Sequence, residues 1–236
     1  MIADPIAALG LFGDAVDFIF NEREADRGVL VGGPQEVAEL AWQQLKVTLY
    51  ALAISLAVAL PVGIALGHAG KGEGLAITIG NAGRAIPELA LIALLVAFLD
   101  VDIFTLALAL SVLGIPPILT NAFVGIRGVD RDAVEAARGM GMTEREVIRK
   151  VELPLAVSSI MGGIRTATIN IVATATIAPL VGVLTLGDFI LSRNVYGDAG
   201  VLAGAIVVAV MALALELVLA GVQRALTPRG LRLAEA

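Results

Sequence analysis

VTLYALAISLAVALPVGIALG, residues 47–67, contains no charged side chain. An α-helix rises about 1.5 Å per residue, so about 20 apolar residues cross a hydrocarbon core of roughly 30 Å. This stretch has that length, and it sets the bilayer as the solvent of the chain. Working outward, apolar runs at 75–98, 103–124, 156–178 and 199–221 give four more predicted spans, separated by short polar or glycine-rich breaks such as Ala69 to Gly74. Only 16% of the 236 residues are charged, and the mean hydropathy is +0.91. Together these predict an all-α polytopic membrane protein with about five transmembrane helices and a polar helical hairpin between the third and fourth.

Charge is unevenly distributed. Asp4, Asp14, Asp17, Glu22, Glu24, Asp26, Glu36 and Glu39, against Arg23 and Arg27, give the first 40 residues the whole net charge of −6. The segment 1–45 therefore reads as an acidic N-terminal region. It has no basic n-region and cleavage pattern, so it is expected to stay on the protein, and Ile6 to Phe20 suits a short interfacial helix. Basic residues cluster in 125–155 (Arg127, Arg131, Arg138, Arg145, Arg149, Lys150), at Lys71, and at Arg224, Arg229 and Arg232 after the last span. Five spans place all three groups on one side, and basic loops stay cytoplasmic. The expected arrangement is a plasma (inner) membrane protein with its N-terminus outside and its C-terminus inside. A permease domain at 46–224, with its loop at 127–154, is followed by a cytoplasmic tail at 225–236.

The most informative polar stretch is EAARGMGMTEREVIRKVELP, residues 135–154. Residues 130–140 favour helix, Gly141 is the residue type that ends one in a left-handed conformation, and Thr143 with Glu146 forms a capping box that starts another. Pro154 either stops the second helix or starts the next span. Val147, Ile148 and Val151 make a small apolar face, with Glu144, Arg145, Arg149 and Lys150 solvated. Such a hairpin either receives a docking partner or covers its own bundle.

These residues resemble the loop of ABC-importer permeases: Glu135-Ala136-Ala137, then Gly141, then Val151-Glu152-Leu153-Pro154, with valine where that family has isoleucine. The resemblance implies that Glu135, Ala136, Ala137, Gly141, Val147, Ile148, Val151, Leu153 and Pro154 form coupling helices seated in a cytoplasmic ATPase subunit. Arg84-Ala85-Ile86-Pro87-Glu88-Leu89-Ala90-Leu91, Gly163-Ile164-Arg165-Thr166-Ala167, Thr174-Ala175-Thr176 and Leu186-Gly187-Asp188-Phe189-Ile190 resemble the branch that takes up glycine betaine, choline, carnitine and related osmoprotectants. Leu184-Thr185 stands where that branch usually has a diglycine. The resemblance spans about residues 40 to 224. It implies ABC ATPase subunits, a second permease copy or a paralogue, and an extracytoplasmic solute-binding protein as partners, with lipid around the bundle and no nucleic acid.

Ionisable groups inside spans are functional candidates because burying them in hydrocarbon is costly. Arg84 and Glu88, four apart, share a helix face and can pair with each other. Arg165 can snorkel or pair with Glu88 or a phosphate, and Glu216 is open to similar readings. Asn170, Thr174 and Thr176 offer hydrogen bonds to a neighbouring helix or to a solute. With Pro87 these residues make up the candidate pathway set. Pro61, Pro87, Pro116-Pro117 and Pro179 predict broken or closely packed helices.

Absences narrow the class. There is no cysteine, and His68, beside Gly67 at a span end, reads as a boundary residue; no metal site is expected. No Gly-x-x-x-x-Gly-Lys-Ser/Thr phosphate loop occurs, so no cofactor is expected in this chain and ATP is assigned to a partner ATPase. The expected activity is transport, not enzymatic catalysis. The competing readings are a stand-alone secondary transporter and a permease for another small solute such as an amino acid.

Overall fold

The computed structural model describes residues 5–25, 28–70, 72, 74, 78, 80 and 86–228. In chain order its elements are helix α1 (Pro5–Phe20), strands β1 (Glu22–Glu24) and β2 (Leu30–Gly32), and helices α2 (Gly33–Ala69), α3 (Glu88–Phe98), α4 (Ile103–Arg127), α5 (Arg131–Gly139) and α6 (Glu144–Val147). A π-helical turn (Ile148–Glu152) leads into α7 (Leu153–Ala175). A 3-10 turn (Ala178–Val181), α8 (Gly187–Leu191) and α9 (Arg193–Leu226) complete the order. Among the described residues four helical stretches are long and apolar enough to cross a membrane, and Glu88–Phe98 is a shorter apolar helix. Most of the expected second span before Glu88 lies outside the described residues.

Where helix ends differ from expectation, local chemistry explains it. α2 begins fourteen residues before the uncharged run because its first turns are amphipathic: Val37 and Leu40 are buried while Gln35 and Glu39 are exposed. Its N-terminus is satisfied by Glu36, which accepts from the Gly32 N–H at 2.6 Å and places negative charge in the first turn. Pro61 and Pro116-Pro117 stand inside continuous helices and do not end them. Pro179, by contrast, opens the 3-10 turn, so the fourth span stops at Ala175 and not at 178. α9 is interrupted at Gly197, whose φ of 66° is non-helical, and its apolar length follows that kink.

The chain divides into two compact units. One comprises Met1–Tyr50, Glu88–Leu110 and Val172–Ala214; the other comprises Ala51–Pro87, Ser111–Ile171 and Leu215–Ala236. The core of the first gathers Ala15, Phe18, Val31, Val37, Leu40, Leu186, Phe189 and Ala203. Phe18, Phe189 and Tyr196 meet edge to face, with centroids 5.4, 6.2 and 4.8 Å apart. The Tyr196 hydroxyl lies 2.9 Å from Asp188 Oδ2 and 3.2 Å from Glu36 Oε1. The antiparallel β1–β2 pair was not legible, because Glu22-Arg23-Glu24 has no apolar alternation. The Arg23 guanidinium, then the Asn21 amide, hold the Asp17 carboxyl below its ordinary range and tie α1 to this hairpin.

In the second unit, small residues let helices approach closely. Gly63 and Gly67, a small-xxx-small pair on α2, face α4: a Cβ on Gly63 would lie 2.8 Å from the Leu119 carbonyl oxygen and 2.7 Å from the Ala122 Cβ. Gly63→Val is expected to force these helices apart and lower the apparent Tm of the detergent-solubilised chain by several degrees, measured by fluorescence-detected thermal unfolding; an unchanged Tm would contradict this packing. The Ser55 hydroxyl donates to the Ala51 carbonyl at 2.8 Å and to the Ser111 carbonyl at 2.9 Å, alternative uses of its one proton. On α9, Leu217 and Val218 remain 64% and 61% exposed, a face suited to lipid or another apolar surface.

Candidate functional site

The polar stretch after α4 folds as the expected hairpin. Asp130 caps α5 by accepting from the Asp132 N–H at 2.9 Å. At the other end the Gly141 N–H donates to the Arg138 carbonyl at 2.9 Å and the Met142 N–H to the Ala137 carbonyl at 3.2 Å. This pair of bonds is a Schellman motif with Gly141 in the left-handed position, φ 84°. Thr143 opens α6, and Glu146 Oε2 accepts from its N–H at 3.1 Å and its hydroxyl at 3.0 Å. Lys150 holds the other Glu146 oxygen at 2.8 Å.

The second helix does not stop at Pro154. Instead the backbone passes through the π turn, where the Leu153 N–H donates to the Ile148 carbonyl, five residues back. Pro154 then sits in the first turn of α7, where its missing N–H costs little.

The hairpin has an outward and an inward set. Glu135, Ala136, Met140 and Gly141 are exposed, Met140 at 73%. A Cβ on Gly141 would meet no atom within 4 Å, so the hinge opens onto free space. Val134, Ala137 and Val147 are buried at 1%, 1% and 0%, and Ile148, Val151, Leu153 and Pro154 are half-buried. The apolar stripe is therefore split: Val147 and Ala137 fasten the hairpin to its own chain, while the Ala136–Gly141 side stays open.

A charged cluster behind the hairpin was not legible in the sequence. His68, at the C-terminal end of α2, has Nδ1 2.7 Å from Glu152 Oε2 and Nε2 3.1 Å from Glu144 Oε2. Arg138 grips Glu144 with Nε at 3.0 Å and Nη2 at 3.0 Å, and this bond raises the Arg138 pKa above its ordinary value. His68 and Glu152 lie 84 residues apart in sequence, and no local spacing joins them. The boundary-residue reading of His68 missed this bridge.

The pathway candidates separate. Arg84 lies outside the described residues. Pro87 and Glu88 are exposed at the start of α3, and Glu88 Oε2 accepts from the Thr174 hydroxyl at 2.8 Å. Arg165 does not pair with Glu88: its Nε donates to Glu216 Oε1 at 2.7 Å, its Nη2 contacts the same oxygen, and its Nη1 donates to Gln223 at 3.1 Å. This joins α7 to α9 and settles Glu216 as its counter-ion. Asn170 is exposed, and Thr176 donates to the Ala173 carbonyl at 2.6 Å, closing the end of α7. Among the described residues no group of three His, Asp or Glu side chains is placed to hold a metal.

Long apolar helices joined by a polar hairpin, with paired charges inside the helical stretches, define a polytopic helical membrane protein. The family described as binding-protein-dependent transport system inner membrane component matches residues 47–231, and this chain belongs to it. The carnitine transport permease protein OpuCB of Listeria monocytogenes is 39% identical over 81% of this chain and 88% of its own length. The choline transport system permease protein OpuBB of Bacillus subtilis is 37% identical over 84% and 91%. The osmoprotectant import permease protein OsmY of Salmonella typhimurium is 34% identical over 80% and 81%. A solved chain of the MetNI methionine ABC transporter superposes with a TM-score of 0.70 at 21% identity, over 81% of this chain and 96% of that one, which shows a shared fold.

Proposed function

We propose that this chain is the permease subunit of an ABC importer for a quaternary ammonium osmoprotectant of the glycine betaine, choline and carnitine class. One observation carries the solute class: relatives named for carnitine and choline transport are 37% to 39% identical over four-fifths of the chain. The likeness to the methionine transporter is one of fold alone and does not favour an amino-acid cargo.

In this reading two permease copies, or this chain and a paralogue, enclose the pathway, with residues 130–154 and the C-terminus cytoplasmic and the acidic N-terminus outside. An ATPase on each hairpin supplies the energy, and an external binding protein selects the solute. A quaternary ammonium is recognised by open aromatic faces. The chain has one Trp and two Tyr, and Tyr196 packs edge to face with Phe18 and Phe189. That scarcity supports assigning cation selection to the binding protein. ATP-driven closure then shifts the permease between inward- and outward-open packings.

Affinity purification of the tagged chain from its native membrane, with mass spectrometry, tests the assembly. Recovery of an ATPase bearing a phosphate loop and of a binding protein that binds glycine betaine, choline or carnitine is the expected result. Recovery of the chain alone, under conditions that preserve other membrane complexes, would sink the importer reading in favour of a stand-alone transporter.

A further inference from the structure

Glu152 is 1% exposed, on the only π-helical turn among the described residues, at the junction between the hairpin and α7. A buried carboxylate needs a charged or hydrogen-bonding partner, and the partner here comes from α2. We infer that His68 is a positioning residue for coupling: its two ring nitrogens brace the hairpin to α2 by holding Glu152 and Glu144 together. This inference rests on the reading of residues 130–154 as the ATPase-docking element.

Both ring nitrogens are within bonding distance of carboxylate oxygens, Nδ1 at 2.7 Å from Glu152 and Nε2 at 3.1 Å from Glu144. An imidazolium donates from both nitrogens; a neutral imidazole donates from one and turns a lone pair toward the other carboxylate. With both carboxyl groups ionised, the doubly bonded state is therefore specific to the protonated ring. His68 terminates α2, so its charge also lies at the favourable end of that helix dipole.

The other charged groups around it are consistent with this role. Arg138 on α5 already compensates Glu144 but makes no hydrogen bond to Glu152 among the described residues. Arg127, at the end of α4, and Arg131, on α5, face Gly70: a Cβ there would lie 3.3 Å from Arg127 Nη1 and 3.8 Å from Arg131 Nη2. Among the described residues, His68 is thus the charged side chain hydrogen-bonded to Glu152. The bridge also acts on the segment best placed to transmit motion, since a π turn holds one extra residue in its hydrogen-bonded ring and can pass that register to an adjoining α-helix. Holding Glu152 fixes the π turn, and the π turn fixes the face that α7 presents after the hairpin.

The test uses the complete importer, with ATPase and binding protein, in proteoliposomes, comparing wild type, His68→Gln and Glu152→Gln. Two readings are taken from each: ATPase retained on the permease, and solute moved per ATP hydrolysed. His68→Gln is expected to retain the ATPase and to couple roughly tenfold less well than wild type, the effect of one lost charge-assisted hydrogen bond. Glu152→Gln, which leaves the histidine in place, carries the same expectation should His68→Gln fail to assemble. A variant that keeps its ATPase and moves as much solute per ATP as wild type would overturn the inference while leaving the docking reading intact. Failure of docking itself would show instead as an ATPase that neither wild type nor variant retains.

Discussion

Gly141→Asp is expected to abolish ATPase recovery with the permease, and solute uptake with it, while the protein still inserts and stays folded. The two halves of this result have separate causes. A Cβ at this position would meet nothing within 4 Å, so the carboxylate does not clash with its own chain. The left-handed φ of 84° costs a non-glycine residue about 1 to 2 kcal/mol, and aspartate is among the residue types that tolerate it best. The new charge projects instead into the space where the account seats a partner, and an uncompensated charge in an interface is strongly unfavourable. Gly141→Asn separates charge from backbone: it has the same shape and tolerance of left-handed geometry, and it should retain most of the ATPase. Co-purification and uptake of the two variants, side by side, decide the matter; normal uptake by Gly141→Asp would contradict the docking surface.

The second large effect is expected at Arg165. Arg165→Met removes the counter-ion of Glu216, and an unpaired charge within a membrane-spanning helix is costly. The expected result is a markedly lower yield of folded protein and a lower unfolding midpoint in detergent. Arg165→Met combined with Glu216→Met removes both charges and should recover most of the loss, as a double-mutant cycle with a large coupling energy. If the double variant is as defective in stability as the sum of the singles, the pair is not the structural tie described here. If it regains stability but not transport, the pair also serves the pathway.

What could be read from the sequence followed the length scale of each signal. The apolar runs and the hairpin are local. Hydropathy located the long helices, and a glycine and a capping box a few residues apart specified the Schellman turn and the start of α6. Hydropathy stopped short where a helix continued as an amphipathic segment, as α2 does from Gly33 to Lys46. The π turn was not legible because Ile148 to Glu152 has ordinary helix-forming residues, and its register follows from packing. The long-range pairs were also hidden. Arg165 carried a clear signal of cost but none of its partner, and Glu216 and Gln223 lie 51 and 58 residues away. His68 and Glu152 each looked unremarkable alone; only the fold makes them a pair.

The account's central claim is that this permease moves a quaternary ammonium solute only when a separate ATPase drives it. Uptake of radiolabelled glycine betaine, choline and carnitine into proteoliposomes holding the purified chain with its ATPase and binding protein tests this directly. The predicted result is accumulation of at least one of the three that requires ATP on the ATPase side, requires the binding protein on the other, and disappears with Gly141→Asp. Equal uptake by the permease alone, without ATPase or ATP, would contradict it.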